Sequence, residues 1–282
     1  MADVRIVTDS TVDLPPELVA RYGITVVPLK VLFEQDVYRD GVDLSLDDFY
    51  RRLVEQPSST SQPSPAEFLD VYQPFSEQGD SIVSIHISAA LSGTHQSAQL
   101  AKTMMLTADI ELIDSKVTSV GLGLIVVAAA RAAQEGWNKH EVIHFVNWLV
   151  DNVRVYFMVD TLDYLQRGGR IGRASAFLGT LLNIKPLLTL SDGLVTPHEK
   201  VRGRNKCLDR IAEITKEFSE QRGQLVYSTL HGNAPQLRQE LEERLVGRLG
   251  YEPEYRTRAG AVIGTHTGPG VVGVAFHPVY NK

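Results

Sequence analysis

"SIVSIHISAALSGTHQSAQLAKTMM", residues 81–105, carries the transition that decides the fold. Its first eight residues, with Ile82, Val83, Ile85 and Ile87 among them, read as a strand buried in a sheet. The run stops at Ser92-Gly93-Thr94, and "GTHQSAQLAKTMM" then reads as a helix. A buried strand passing through a short polar turn into a helix is the repeating unit of an α/β sheet. The same alternation extends in both directions. "VRIVTDS" (4–10), "ITVVPLKVLF" (24–33) and "IELIDS" (110–115) read as strands. "DLPPELVARYG" (13–23), "SLDDFYRRLVEQ" (45–56) and "SVGLGLIVVAAARAAQEG" (119–136) read as helices, the second capped by Ser45. Residues 1–150 are therefore expected to form an α/β domain with a largely parallel sheet.

From about residue 151 to 282 the pattern changes. "RVYFMVD" (154–160) is a strand and "TLDYLQRGG" (161–169) a short helix. "ASAFLGTLLN" (174–183) reads as a helix pairing Phe177 with Leu181 and Leu178 with Leu182 at i, i+4. "IKPLLTLSDGLVTPHEKV" (184–201) is a hairpin turning at Ser-Asp-Gly, followed by a helix over 204–222. "QLVYSTLHG", a helix over 234–249, and the pair "PEYRTRAGAVIGTHTG" and "VVGVAFHPVY" complete a second, α+β domain. A ligand is expected between the domains, outside the ends of the parallel strands.

Composition narrows the function. The 282 residues are 43% hydrophobic and 22% charged, ordinary for a soluble globular chain long enough to bury a core. A net charge of −6 argues against nucleic acid or an anionic membrane as the main partner. One cysteine, Cys207, cannot form an internal disulfide, and no stretch reads as a signal peptide or membrane span, so a cytoplasmic location is expected.

Hydroxyls and glycines gather at strand ends and tight loops: "TDST" (8–11), "STSQPS" (59–64), "LSGTHQSA" (91–98), "DSKVTSVGLG" (114–123) and "GTHTGPG" (264–270). Such residues cap helices, and at a helix start they also bind phosphate or carboxylate. The last loop resembles a phosphate loop but lacks the Lys-Ser/Thr that would follow its final glycine. Ser92 lacks a Gly-x-Ser-x-Gly elbow, "GLG" (121–123) lacks the third glycine of a dinucleotide fingerprint, and the histidines lack metal-ligand spacing. "RGGRIGR" (167–173) and "KVRGRNK" (200–206) are basic stretches that suit a phosphate or an acidic partner.

"TDSTVDL", "TSQPS", "LSGTHQSA", "DSKVTSVGLG", "DTLDYLQRGGRI", "IKPLL", "EKVRGRNK" and "GTHTGPG", in this order along essentially the whole chain, resemble the DegV family. The resemblance implies a two-domain α/β protein holding one long-chain fatty acid, with no metal or cofactor of its own. It implies the acyl-carrying subunit of bacterial fatty acid kinase, which presents the carboxylate to a separate ATP-dependent kinase subunit for phospholipid synthesis. By resemblance the carboxylate meets Thr60 (or Ser61 beside it), Ser92, the Gly93 backbone and His266, and Arg202 faces the kinase. Phe177, Leu178, Leu181 and Leu182 are candidate walls of the acyl tunnel. The alternative reading is a hydrolase or phosphotransferase using Ser92 and His266.

Overall fold

The computed structural model describes residues 3–179 and 184–281. β1 (Val4–Asp9) runs through one 3-10 turn into α1 (Pro16–Tyr22), which starts on proline and ends at Gly23 with φ 60°. The apolar run 24–33, expected as one strand, is two: β2 (Thr25–Val27) and β3 (Lys30–Phe33). Pro28 lies at the break, where it has no N–H for a ladder, and β3 joins a different sheet. β4 (Asp36–Arg39) follows, then α2 (Leu46–Glu55), whose first turn is capped by Ser45. The segment 59–61, expected as a strand end or loop, is β5 (Ser59–Ser61). It completes a small antiparallel sheet ordered β4-β3-β5, in which Thr60 stands opposite Val31.

α3 (Pro65–Glu77) opens with a Ser64–Glu67 capping box. β6 (Ser81–His86), α4 (Thr94–Met104), β7 (Ile110–Asp114), α5 (Val120–Gln134) and α6 (Lys139–Asn152) continue the alternation. The first sheet is all parallel, ordered β2-β1-β6-β7. Its strand order reverses around β1, and the loops after β1, β6 and β7 open together at the carboxyl end.

β8 (Arg154–Met158) and α7 (Asp163–Arg167) lead to a 3-10 turn over Gly172–Phe177. The helix expected over 174–183 is absent up to Gly179, because Leu178 is extended and Gly179 has φ 74°. β9 (Ile184–Ser191) and β10 (Leu194–Arg202) form the expected hairpin, with Asp192 and Gly193 both at positive φ in its two-residue turn. α8 (Arg204–Arg222), β11 (Leu225–His231), α9 (Pro235–Leu249), β12 (Arg256–Arg258), α10 (Ala261–Thr267) and β13 (Val272–Pro278) complete the chain. The strand expected across 253–268 is thus a three-residue strand and a helix. The second sheet is ordered β10-β9-β8-β13-β11-β12, with β12 parallel to β11.

α5 joins the two sheets. It packs on β1 and β6 of the first and on β8, β11 and β13 of the second. Eleven of its fifteen residues are buried, which explains why it is apolar all round. A methyl at Gly121 would collide with Val155, and one at Gly123 with Tyr255. "GLG" is therefore a close-packing surface. The other face of the second sheet carries α8 and α9 over a core of Met158, Leu187, Leu208, Ile211, Tyr227 and Phe276.

The end of the parallel sheet is fixed by a fully buried polar chain. Asp9 Oδ1 accepts Thr11 N at 3.1 Å and Thr11 Oγ1 at 2.6 Å, and Oδ2 accepts Ile87 N at 2.9 Å. His86 Nδ1 donates to Asp9 Oδ2 at 3.0 Å, and its Nε2 meets Ser84 Oγ at 2.7 Å. Tyr72 OH reaches Ser84 Oγ at 2.7 Å. The Asp–His–Ser order resembles a catalytic triad, but all three side chains are sealed from solvent. It is a satisfied core network that locks the loop after β6 onto β1.

Candidate functional site

A cavity of about 910 Å³, counting the space at its mouth, lies between the carboxyl end of the parallel sheet and the second sheet. Val155 and Phe157 of β8 point into it with Leu190 of β9, Val195 of β10 and Leu230 of β11. Along β8 these two residues alternate with Tyr156 and Met158, which face the core beneath α8 and α9. Leu29, Ile87, Leu91, Leu165, Val262, Ile263 and Val271 close the apolar wall.

The polar lining is Thr60, Ser61, Gln62, Ser92, Thr118, Ser119, Arg170, His266 and Thr267. Chain segments from both ends of the protein meet among these residues. Thr60 Oγ1 of β5 lies 2.8 Å from His266 Nε2 of α10. Beside this pair, Ser58 Oγ lies 2.9 Å from Oγ1 of Thr265, the residue before His266. Ser92 Oγ is 2.8 Å from Thr94 Oγ1, just before α4. Among the described residues no acceptor takes the Gly93 N–H, and Gln62 lies where a Gly93 side chain would stand. The donors therefore include the Ser92 loop, the start of α4 and β5, with His266 bonded to Thr60.

The "GTHTGPG" segment does not wrap an anion with its backbone. Its first residues belong to α10, where Gly264 N donates to Gly260 O and Gly268 N to Gly264 O, each at 2.8 Å. The side chain of His266 reaches the cavity instead. Burial, and secondarily the nearby Arg170 guanidinium, push its pKa down to about 4, so the ring is neutral at pH 7. Nδ1 is buried without a partner among the described residues. A proton there would be an unpaired buried donor, so the favoured tautomer carries it on Nε2 and donates to Thr60 Oγ1. The Thr60 hydroxyl hydrogen is then left for a ligand. Because the folded-state pKa lies below the unfolded one, His266 contributes stability above about pH 6.5 that is lost as pH falls through about 4.

Sequence reasoning missed Arg170. Its Nε donates to Leu91 O at 3.1 Å and its Nη1 to Gly168 O at 2.7 Å, tying the loop after α7 to the loop before α4. "RGGRIGR" marked it as basic without placing it at the cavity. Thr118 was missed as well; its hydroxyl has no partner among the described residues.

The structure brings Thr60, Ser61, Ser92 and His266 to one cavity, with Gly93 beside them. It places Phe177 elsewhere, with its ring 4.9 Å from Lys200 Nζ, and leaves Leu178 exposed. Leu181 and Leu182 lie outside the described residues. The apolar walls described above come instead from alternating strand positions. Ser92 and His266 are each bonded to a threonine, and no carboxylate among the described residues orients His266 Nδ1, so a Ser–His hydrolytic pair is not assembled. Among the described residues no group of three His, Cys, Asp or Glu is placed to hold a metal, and no helix is long and apolar enough to cross a membrane. Arg202 ends β10, exposed and without a hydrogen-bond or ion-pair partner among the described residues, whereas Arg204 beside it is held by Asp160 at 2.8 Å.

Gly168 gives a direct test of the histidine's seat. It has ordinary backbone angles, yet an added methyl would overlap His266 Nδ1 and approach Tyr164 O to 3.2 Å. Gly168→Ala is expected to push His266 out of its burial. Its NMR-monitored pKa should then rise from about 4 toward the ordinary imidazole value. An unchanged titration would show that the ring is held by something other than this packing.

The family model described as "Uncharacterised protein, DegV family" matches residues 3–279. A DegV domain-containing protein of Caldanaerobacter subterraneus is 37% identical over 277 residues, 98% of this chain and 99% of the relative. Among solved structures, a fatty-acid-binding DegV family protein from Thermus thermophilus is 38% identical with a TM-score of 0.90. It is matched over 98% of this chain and 100% of that one. A stearic-acid-binding protein from Eubacterium ventriosum is 30% identical with a TM-score of 0.91, over 99% and 98% of the two chains. On the extent of these matches, which run from one end of the chain to the other, the protein belongs to the DegV family.

Proposed function

We propose that this chain binds one long-chain fatty acid and presents its carboxylate to a separate ATP-dependent kinase. The observation that carries the reading is the Thr60–His266 hydrogen bond, set at a polar edge of a cavity whose other walls are apolar. A single carboxylate suits this edge: the Thr60 and Ser92 hydroxyls and the Gly93 N–H are neutral donors, and Arg170 stands beside them. The fatty acid binding described for the Thermus and Eubacterium relatives supports the same ligand class.

The acyl chain would lie along Val155, Phe157, Leu190, Val195 and Leu230. A sixteen-carbon chain buries about fifteen methylene and methyl groups, a gross term of about 12 kcal/mol before the costs of binding. In the kinase step a carboxylate oxygen attacks the γ-phosphorus of ATP held by the partner, and ADP leaves with the bridging oxygen. This chain's part is to hold and orient the carboxylate. It supplies no nucleophile of its own, which is why the hydrolase reading, lacking a Ser92–His266 hydrogen bond, is set aside.

Protein purified without detergent should carry one fatty acid per chain by native mass spectrometry. Ser92→Ala should weaken fatty acid binding by about 1.5–3 kcal/mol, the value of one hydrogen bond to a charged group. Empty protein that also fails to take up fatty acid would sink the reading. So would a folded Ser92→Ala chain that binds as tightly as wild type.

Arg202 is the residue proposed to meet the kinase, since it is exposed and unpartnered among the described residues next to the tethered Arg204. Arg202→Ala should keep wild-type fatty acid affinity and fail to support acyl phosphate formation with a cognate kinase and ATP. Arg202→Lys should recover part of that activity, because an ammonium cannot reproduce a bidentate clamp. Normal turnover by Arg202→Ala would move the contact to "RGGRIGR".

A further inference from the structure

Two carboxyls that the proposed function does not use converge on the start of α10, the helix that carries His266. Asp13 follows the turn after β1 in a left-handed conformation, φ 49°. Its Oδ1 accepts Gly260 N at 2.9 Å, its Oδ2 accepts the Ser119 hydroxyl, and its carbonyl accepts Thr257 Oγ1. Asp40 follows β4, its own N–H bound to Leu29 O at 2.8 Å, and its Oδ1 accepts Ala261 N at 3.1 Å. Both carboxyls cover the face of Gly260 where a side chain would stand. A methyl there would meet Asp13 Oδ1 at 2.5 Å and both Asp40 oxygens at 3.6 Å. Asp40 is 5% exposed, and its Oδ2 is buried beside the Ser10 hydroxyl, which accepts Leu29 N at 3.0 Å and keeps its own hydrogen to turn toward Asp40.

We propose that Asp13 and Asp40 are positioning residues for the carboxylate site: they hold α10 by its first two amides so that His266 meets Thr60, and the charge on Asp40 sets how tightly the site holds an anion. The inference rests on the reading that Thr60, Ser92 and His266 bind a fatty acid carboxylate. α10 has no side-chain cap of its own, and its seven residues span only two turns. Its placement therefore depends on what grips its first amides. From Ala261 to His266 the helix rises about 7.5 Å. A second anion is thus brought close to the ligand carboxylate through protein rather than water.

The surroundings favour a neutral Asp40 on the acid side of neutrality. Burial, together with the Asp9 charge, pushes its pKa up to about 6 against the pull of the Ser10, Ala261 and Val262 hydrogen bonds. Burial holds Asp13 well above the usual carboxylate range, with the Asp40 and Asp9 charges adding to the effect. The other groups facing the pair are Tyr50 of α2 and Tyr255 before β12, both held neutral by burial. Arg258 is turned to the Tyr50 ring, Asp47 and Asn233. Asp9 itself is committed to His86, Thr11 and Ile87. With its folded-state pKa raised, Asp40 contributes stability that is fully present below its unfolded value and lost as pH rises through about 6. A bound carboxylate opposes the same ionisation, so affinity falls over the same rise. At about 10 Å and an effective dielectric of about 20, one added charge changes affinity on the order of tenfold.

The test titrates delipidated wild type, Asp40→Asn and Asp40→Ala with palmitate between about pH 5.5 and 8.0, a window around the pKa of about 6, with circular dichroism confirming the fold. Wild-type affinity should fall on the order of tenfold across this range. Asp40→Asn keeps an acceptor for Ala261 N and has no proton to lose, so its profile should be flatter than wild type by that factor. Asp40→Ala should bind more weakly at every pH. Equal slopes in wild type and Asp40→Asn, or a folded Asp40→Ala with wild-type affinity, overturn the inference while leaving the fatty acid reading intact. If Asp40→Ala does not fold, the slope comparison alone decides. Absence of palmitate binding by wild type at any pH overturns the function and this inference with it.

Discussion

The hydrogen bond between Thr60 and His266 joins two side chains 206 residues apart, and the site depends on it. Neither residue is held in place by its own element alone. Thr60 stands on a three-residue strand whose position is set by pairing with β3. His266 stands near the end of a two-turn helix packed against α2, α7 and β3. The ring occupies the space left open by Gly168, while Gly268 of the same segment lies against the Tyr164 ring of α7. The bond thus reports whether the small antiparallel sheet, α10 and the loop after α7 are all correctly placed.

This arrangement addresses a physical problem. An anion moved from water into an apolar cavity loses its hydration, and donors must replace that hydration without themselves requiring a large desolvation. Neutral hydroxyls and a backbone N–H meet that requirement, and the neutral imidazole of His266 orients the Thr60 hydroxyl toward the ligand. The exposed Arg170 guanidinium adds positive potential from the edge while bonded to two carbonyls. The same guanidinium helps keep His266 neutral, so one cation favours both the ligand's charge and the histidine's role as donor. On the proposed function, the apolar wall supplies affinity and the polar edge supplies orientation.

Much of the fold was legible because local signals agreed with the tertiary structure. The run 81–105 folds as strand, turn and helix, the helix over 204–222 has the expected bounds, and Asp192-Gly193 turns the hairpin. Pro28 and Gly179 account locally for two of the differences, and two others share one cause: short segments whose conformation is dictated by distant partners. β5 pairs with β3, and the amides at the start of α10 are received by Asp13 and Asp40. Nothing within "STSQPS" or "AGAVIGTHT" announces either. Within the site, hydroxyl- and glycine-rich loops marked the segments, and the family resemblance singled out Thr60, Ser92 and His266 within them. The apolar wall was hidden, since Val155 and Phe157 carry the same alternation as any half-buried strand. That one face of the sheet meets a cavity and the other meets α8 and α9 is decided by packing.

The central claim is that Thr60 and His266 hold an ionised carboxylate, and carbon-13 NMR of carboxyl-labelled palmitate bound to the protein tests it most directly. The account predicts one bound carboxyl resonance, distinct from free palmitate and from its protonated form at pH 7. Thr60→Val and His266→Ala should each shift it, whereas a surface change such as Leu106→Ala, far out on an exposed turn, should not. A carboxyl resonance that is the same in wild type, Thr60→Val and His266→Ala would place the head group elsewhere and contradict the account.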